Sequence, residues 1–102
     1  MDMNQQRIET IRWYALLAIY NGRPYAVAEP LILSTIQSIP IQCSALELRR
    51  ELDYLRDREL LKLDELEGAP WTAEITRHGV DLVEYRIEVQ PGIARPKKYW
   101  NG

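Results

Sequence analysis

Between Gln42 and Tyr54 this chain carries side chains whose types and spacing suit contact with a duplex: Gln42, Ser44, Arg49, Arg50 and Tyr54. An arginine presents a rigid fork of donors that matches the guanine edge, while glutamine and serine can hold phosphate oxygens. Arg50 is the expected base contact, and Gln42 or Ser44 the expected phosphate contacts. A second basic group follows near residue 95, where Arg95, Lys97 and Lys98 run into Tyr99 and Trp100. Basic and aromatic residues side by side suit phosphate attraction and base stacking. Two features oppose this chemistry. From Ser44 to Leu63 five basic residues are matched by five acidic ones, and Arg49 with Asp53, like Asp53 with Arg56, stands at pairing distance along a helix. From Asp64 to Glu74 the chain has Asp64, Glu65, Glu67 and Glu74 and no basic residue, so a duplex would repel that segment.

Catalytic or metal chemistry is not expected. The single Cys43 and single His78 cannot complete a four-ligand zinc site, and one cysteine allows no internal disulfide. Cys43 reads as a small buried residue and His78 as an exposed or capping one, with no nucleophile or carboxylate pair placed beside it. No glycine-rich phosphate loop is present, so neither an enzyme nor a cofactor site is expected. A net charge of −2 argues against generalised attraction to nucleic acid, so any basic surface must be local. No apolar run approaches the ~18 residues of a spanning helix, and MDMNQQRIET has no charged-then-apolar leader, so no membrane partner and an intracellular location are expected.

These side chains need elements to hold them. From Gln5 to Tyr20 the residues Ile8, Ile11, Ala15, Ala18 and Ile19 recur at helical spacing, and Asn21-Gly22 predicts a left-handed stop. Trp13, Leu16, Leu17 and Tyr20 make this helix apolar nearly all round, which fits a central core helix or a contact surface. Glu29-Pro30 predicts a short second helix that runs towards Pro40. Ser44 followed by Glu47 is a capping box that starts a third helix, with Leu48, Leu52 and Leu55 as its buried stripe and Ala45 beside it. Leu46, Arg50, Asp53, Tyr54 and Asp57 then point outward. Strands are predicted at Leu60 to Asp64 and Trp71 to Thr76, joined by an acidic turn. Thr76 caps a closing helix from Arg77 to about Arg86 that carries Val80, Leu82, Val83 and Tyr85. With 102 residues, 46% of them hydrophobic, the chain fits one domain over residues 1–86 and a partly extended tail over 87–102.

Three helices, a two-stranded hairpin and a closing helix form an α+β, mainly α, arrangement in the order of a winged helix-turn-helix domain. The run LRRELDYLRDRELLKL resembles the recognition helix and first wing strand of MarR-type and PadR-type regulators. ITRHG, Ile75 to Gly79, is similar to the threonine-x-x-glycine that opens the helix after the wing in those families. The run from Cys43 through GIARPKKYW resembles small winged-helix proteins of Mu-like phages. One departure stands out: Glu59 occupies the place of the usual loop glycine before the strand. The resemblance implies a phage or prophage transcriptional regulator in the cytoplasm of a bacterial host, binding double-stranded DNA. The balanced helix and acidic turn fit the alternative, a winged helix kept as a protein-interaction or assembly module. Trp13, Leu17, Tyr20 and Trp100 are the expected contacts of a homodimer.

Overall fold

Asp2 accepts hydrogen bonds from the backbone N–H groups of Asn4 and Gln5 and so opens the first helix, α1 (Met3–Asn21), two residues ahead of the expected start. The computed structural model describes residues 2–98. Ile11, Ala15, Leu16 and Ile19 of α1 are wholly buried, and Trp13 nearly so. The helix ends at Gly22 in right-handed geometry, φ −79°, so the expected left-handed stop is corrected. Glycine is required there for space: a Cβ would overlap Val27 Cγ2.

Val27 and Ala28 form a two-residue strand, β1, that leads directly into α2 (Glu29–Gln37), with Pro30 in its first turn. The capping box is formed in both directions: Ser44 Oγ accepts from Glu47 N–H, and the Glu47 carboxylate accepts from Ser44 N–H. It opens α3 (Ala45–Asp57), whose Leu48, Leu52 and Leu55 lie on the core as the spacing predicts. Each such side chain stabilises the fold by roughly 1.5–3 kcal/mol. Ala45 is exposed, which corrects its place beside the stripe: in the first turn it lies beyond the end of the core.

Strands β2 (Leu61–Asp64) and β3 (Thr72–Ile75) pair antiparallel with Leu63 opposite Ala73, close to the predicted bounds. The two-stranded hairpin is formed as expected, but the sheet has a further strand. β1 pairs with the other edge of β3, Val27 opposite Ala73, to give an antiparallel sheet of order β1-β3-β2. The closing helix α4 (Arg77–Val83) is capped by Thr76 as expected but stops three residues before Arg86. Its end is set by Tyr85, at φ +61°, which leaves the helix while Arg86 N–H turns back to Asp81 O. The described residues are thus α+β, with four helices and a three-stranded antiparallel sheet. α1 packs on α2, α3, α4 and β3, which explains why it is apolar nearly all round.

Residues 87–98 contain no helix or strand but belong to the same core. Ile93 is buried, Ile87 and Val89 pack on the core, and Ala94 N–H donates to Glu9 O of α1. Arg12 of α1 holds this segment by donating to Gly92 O at 2.9 Å.

The α3–β2 connection shows what Glu59 does. Leu60 N–H donates to Leu55 O and Glu59 N–H to Arg56 O, the paired bonds that close a helix through one left-handed residue. Glu59 takes that conformation, φ +63°, so the tight connection is made without glycine. Glycine has no Cβ penalty there but loses more chain entropy on folding. Glu59→Gly is therefore expected to stabilise the fold by about 0.5–1 kcal/mol, measured by urea denaturation, and a loss of stability would contradict this account.

Candidate functional site

The residues expected to face a duplex are dispersed over several tasks. Arg49 forms a two-pronged ion pair with Glu29 at the start of α2: its Nε donates to Oε2 at 2.8 Å and its Nη2 to Oε1. Its guanidinium also lies 4.7 Å from the centre of the Trp71 ring. The expected Arg49–Asp53 pair is thereby replaced, because Glu29 is nearly buried and accepts Trp71 N–H as well. Asp53 does pair with Arg56, at 2.9 Å, and Arg56 also reaches Glu65 in the turn between β2 and β3.

Tyr54 is not an outward side chain. It is half-buried between the guanidinium groups of Arg12 and Arg58, 3.5 and 4.6 Å from its ring centre. Ser44 is used as the cap of α3, and the Gln42 carbonyl accepts from Arg7, whose other nitrogen pairs with Glu47 at 2.6 Å. Arg95 is committed to the carbonyls of Leu82 and Ile87, with the Tyr85 ring beneath it. Arg50 is exposed and, among the described residues, has no ion pair; Lys97 and Lys98 are exposed at the other end of the described chain.

The expected dimer contacts are likewise redirected. Trp13 is 5% exposed in the core, so it cannot present a face to a second copy. Leu17 is half-buried against the core, and Tyr20 donates its hydroxyl to Glu84 at 2.6 Å, tying α1 to the end of α4. A helix surrounded by neighbours and a helix used in a contact share one sequence pattern, and here the first holds. Trp100 lies outside the described residues. Cys43 is buried, and burial pushes its thiol up to about 11, which suits a packing role. His78 is exposed. Among the described residues no group of three or more His, Cys, Asp or Glu side chains is placed to hold a metal ion, and no helix is long and apolar enough to cross a membrane.

What the structure does assemble is a groove of about 920 Å³ between the starts of α2 and α3 and the β2–β3 turn. Its apolar lining comes from Pro30, Leu33, Leu46, Leu66, Pro70 and Trp71. Leu46 of α3 and Leu66 of the β2–β3 turn are 67% and 61% exposed, high values for leucine. Glu65 and Glu67 add acid to the turn, with Asp64 exposed just before them. Neither Leu46 nor Leu66 could be recognised as part of a site from sequence, because nothing local brings the two segments together. The available signal was Leu46 on the outward face of α3 and a lone leucine inside DELEGAP.

Three carboxyl groups in different parts of the fold are lowered by their partners. The Arg49 guanidinium, followed by Trp71 N–H, lowers Glu29 below its ordinary value of 4.5 against the opposing effect of burial. Arg7, followed by the Ser44 backbone, lowers Glu47, and the Tyr20 hydroxyl is the main cause of the lowered Glu84. A carboxyl lowered on folding contributes stability that is present above its unfolded pKa and lost as pH falls through the folded value. Stability is therefore expected to be flat from neutrality to about pH 5 and to decline below ~4.5. Glu29→Gln should make that acid decline shallower in urea denaturation at stepped pH; an unchanged slope would remove Glu29 from the account.

No protein-family model matches this chain, and no curated protein matches it. Among solved structures, that of human N-acetylserotonin methyltransferase in complex with SAM is similar, with a TM-score of 0.54 at 16% identity. The match covers 78% of this chain and 21% of that one, so this chain spans about a fifth of that protein's length. At such identity the likeness is one of fold alone.

Proposed function

We propose that this chain is a non-enzymatic winged-helix module that binds protein, with the groove between α3 and the β2–β3 turn as its docking face. The element order α1-β1-α2-α3-β2-β3-α4 supports the winged-helix reading: a short strand precedes α2, and a hairpin follows α3 as a wing would. In a DNA-reading member of that fold, α3 and the hairpin turn would approach the duplex. On this chain that side offers an apolar groove lined by Leu46 and Leu66 with acids at its turn, and this observation carries the proposal. Arg49 is neutralised by Glu29 and Arg56 by its acidic neighbours, which leaves Arg50 as the unpaired cation of α3. One unpaired cation cannot supply the counterion release on which duplex affinity depends.

Two measurements test the reading. Fluorescence anisotropy with random duplexes at low salt should show no binding tighter than ~100 µM, the weak end of ordinary non-specific affinity. Selection from a displayed random-peptide library should enrich peptides that join bulky apolar residues to Lys or Arg. Their binding should fall at least ~10-fold with Leu46→Asp, a change at an exposed position that spares the core. Duplex binding in the micromolar range that Arg50→Ala weakens would return the chain to the DNA-binding class. Selected peptides indifferent to Leu46→Asp would remove the groove.

A further inference from the structure

Resting on that docking face, we infer that its partner is a second copy of this chain, docked about a two-fold axis so that Leu46 and Arg50 of each α3 meet Leu66 and Glu67 of the other copy's β2–β3 turn. On α3, Leu46 lines the groove and Arg50 follows one helical turn on, so the two share a side of the helix. Both are exposed, and among the described residues Arg50 has no ion pair. On the turn, Leu66 is directly followed by Glu67, which lines the groove, is exposed and is likewise without an ion pair among the described residues. The other charges lining the groove are satisfied within the chain: Arg49 pairs with Glu29, and Glu65 with Arg56.

Each segment offers what the other lacks. A leucine beside a cation suits a leucine beside an acid, and within one chain Arg50 and Glu67 do not pair. A uniformly acidic or basic partner would be attracted by one of them and repelled by the other. A surface with both signs, one on each segment, is complementary to itself. Two-fold symmetry uses this twice, because an isologous contact that pairs one residue with another also makes the reciprocal pair. It gives two Leu46–Leu66 contacts and two Arg50–Glu67 pairs. The peptide class expected at the groove, a bulky apolar residue joined to Lys or Arg, is thus present in the chain itself as Leu46 with Arg50. The turn is already formed for such a contact. Ala69 N–H donates to Leu66 O at 3.3 Å and Gly68 takes φ +75°, which places Glu67 at the corner of a closed turn. Docking therefore has little left to order in this segment.

Charge reversal tests the pairing. In sedimentation velocity the unmodified full chain should pass from monomer to dimer between micromolar and millimolar concentration. Arg50→Glu alone sets acid against acid in both pairs, and Glu67→Arg alone sets base against base. Each should therefore dimerise at least ~10-fold more weakly. Mixed in equal amounts, the two variants should regain the affinity of the unmodified chain as a mixed dimer: one pair is then native and the other carries both reversals, so opposite charges meet in each. Added salt should narrow the gap between the unmodified chain and either variant. Leu46→Asp should weaken the dimer as well. All three positions are exposed, and circular dichroism with thermal melts checks that the variants fold. An unmodified chain that stays monomeric at millimolar concentration, a dimer indifferent to both reversals, or a mixture no tighter than its components would overturn the inference. If the unmodified chain is monomeric while library-selected peptides still bind in a way that Leu46→Asp abolishes, the partner is another protein, and the docking face stands without this inference.

Discussion

Glu51→Ala is expected to destabilise the protein by about 3–5 kcal/mol, the range for breaking a buried ion pair and leaving one charge behind. Glu51 lies on the buried face of α3, and its carboxylate accepts from Arg12 Nε at 2.8 Å. The Arg12 side chain is 14% exposed and that of Glu51 9%, so water cannot take the place of either partner. Arg12 does three things with one guanidinium. It pairs α1 with α3, it stacks on Tyr54, and it fixes Gly92 and with it the segment that closes the core. Arg12→Ala should thus lower stability by a similar amount and also speed hydrogen exchange at Ala94, whose amide is bound to Glu9 O. The control is the pair Arg12→Met with Glu51→Leu, which removes both charges and keeps the volume; it should recover most of the loss. Urea denaturation at pH 7 reads all three, and a loss below 1 kcal/mol for Glu51→Ala would show the pair to be solvated.

This pair also marks where sequence reading stops. Glu51 stands three residues after Leu48 and four before Leu55, so its spacing places it on the buried stripe as surely as Leu52. Its charge argues for solvent, and only a partner 39 residues away in sequence overturns that argument. Patterns completed within one element were legible: the Ser44–Glu47 box, the leucine stripe, the cap at Thr76 and the two strands around the acidic turn. β1 was not, because a two-residue strand has no period and forms only when β3 is there to receive it. The same limit applies to function. Arg49 and Arg50 look alike in the chain, and the fold separates them by giving Glu29 to one. The groove needs Leu46 and Leu66 side by side, a juxtaposition made by the packing of α3 against the sheet and by nothing in either segment.

Gly79→Ala is the second large effect, about 3 kcal/mol of lost stability, at the upper end of what overpacking usually costs. The threonine-x-x-glycine at Thr76 to Gly79 has a physical cause in this structure. Thr76 Oγ1 accepts from Gly79 N–H at 3.0 Å and donates to Glu59 O at 2.7 Å, while Thr76 N–H donates to Leu60 O at 3.1 Å. The first turn of α4 is therefore pressed against the backbone of the α3–β2 connection. A Cβ on Gly79 would overlap Leu60 O and come within 2.6 Å of Ile75 Cγ1. A side chain can change rotamer, but a carbonyl fixed in this network cannot retreat without breaking its hydrogen bond to Thr76. Ile75→Ala should consequently fail to rescue Gly79→Ala, although it clears the second of the two obstacles. Thr76→Ala should cost about 1–2 kcal/mol for the lost cap and bridge. Combined with Gly79→Ala it should cost less than the two separate losses added, because a displaced α4 has already given up the bond that the threonine makes. Urea midpoints of the four variants decide the matter: full rescue by Ile75→Ala would mean that the glycine is required by one side chain and not by the backbone of the turn.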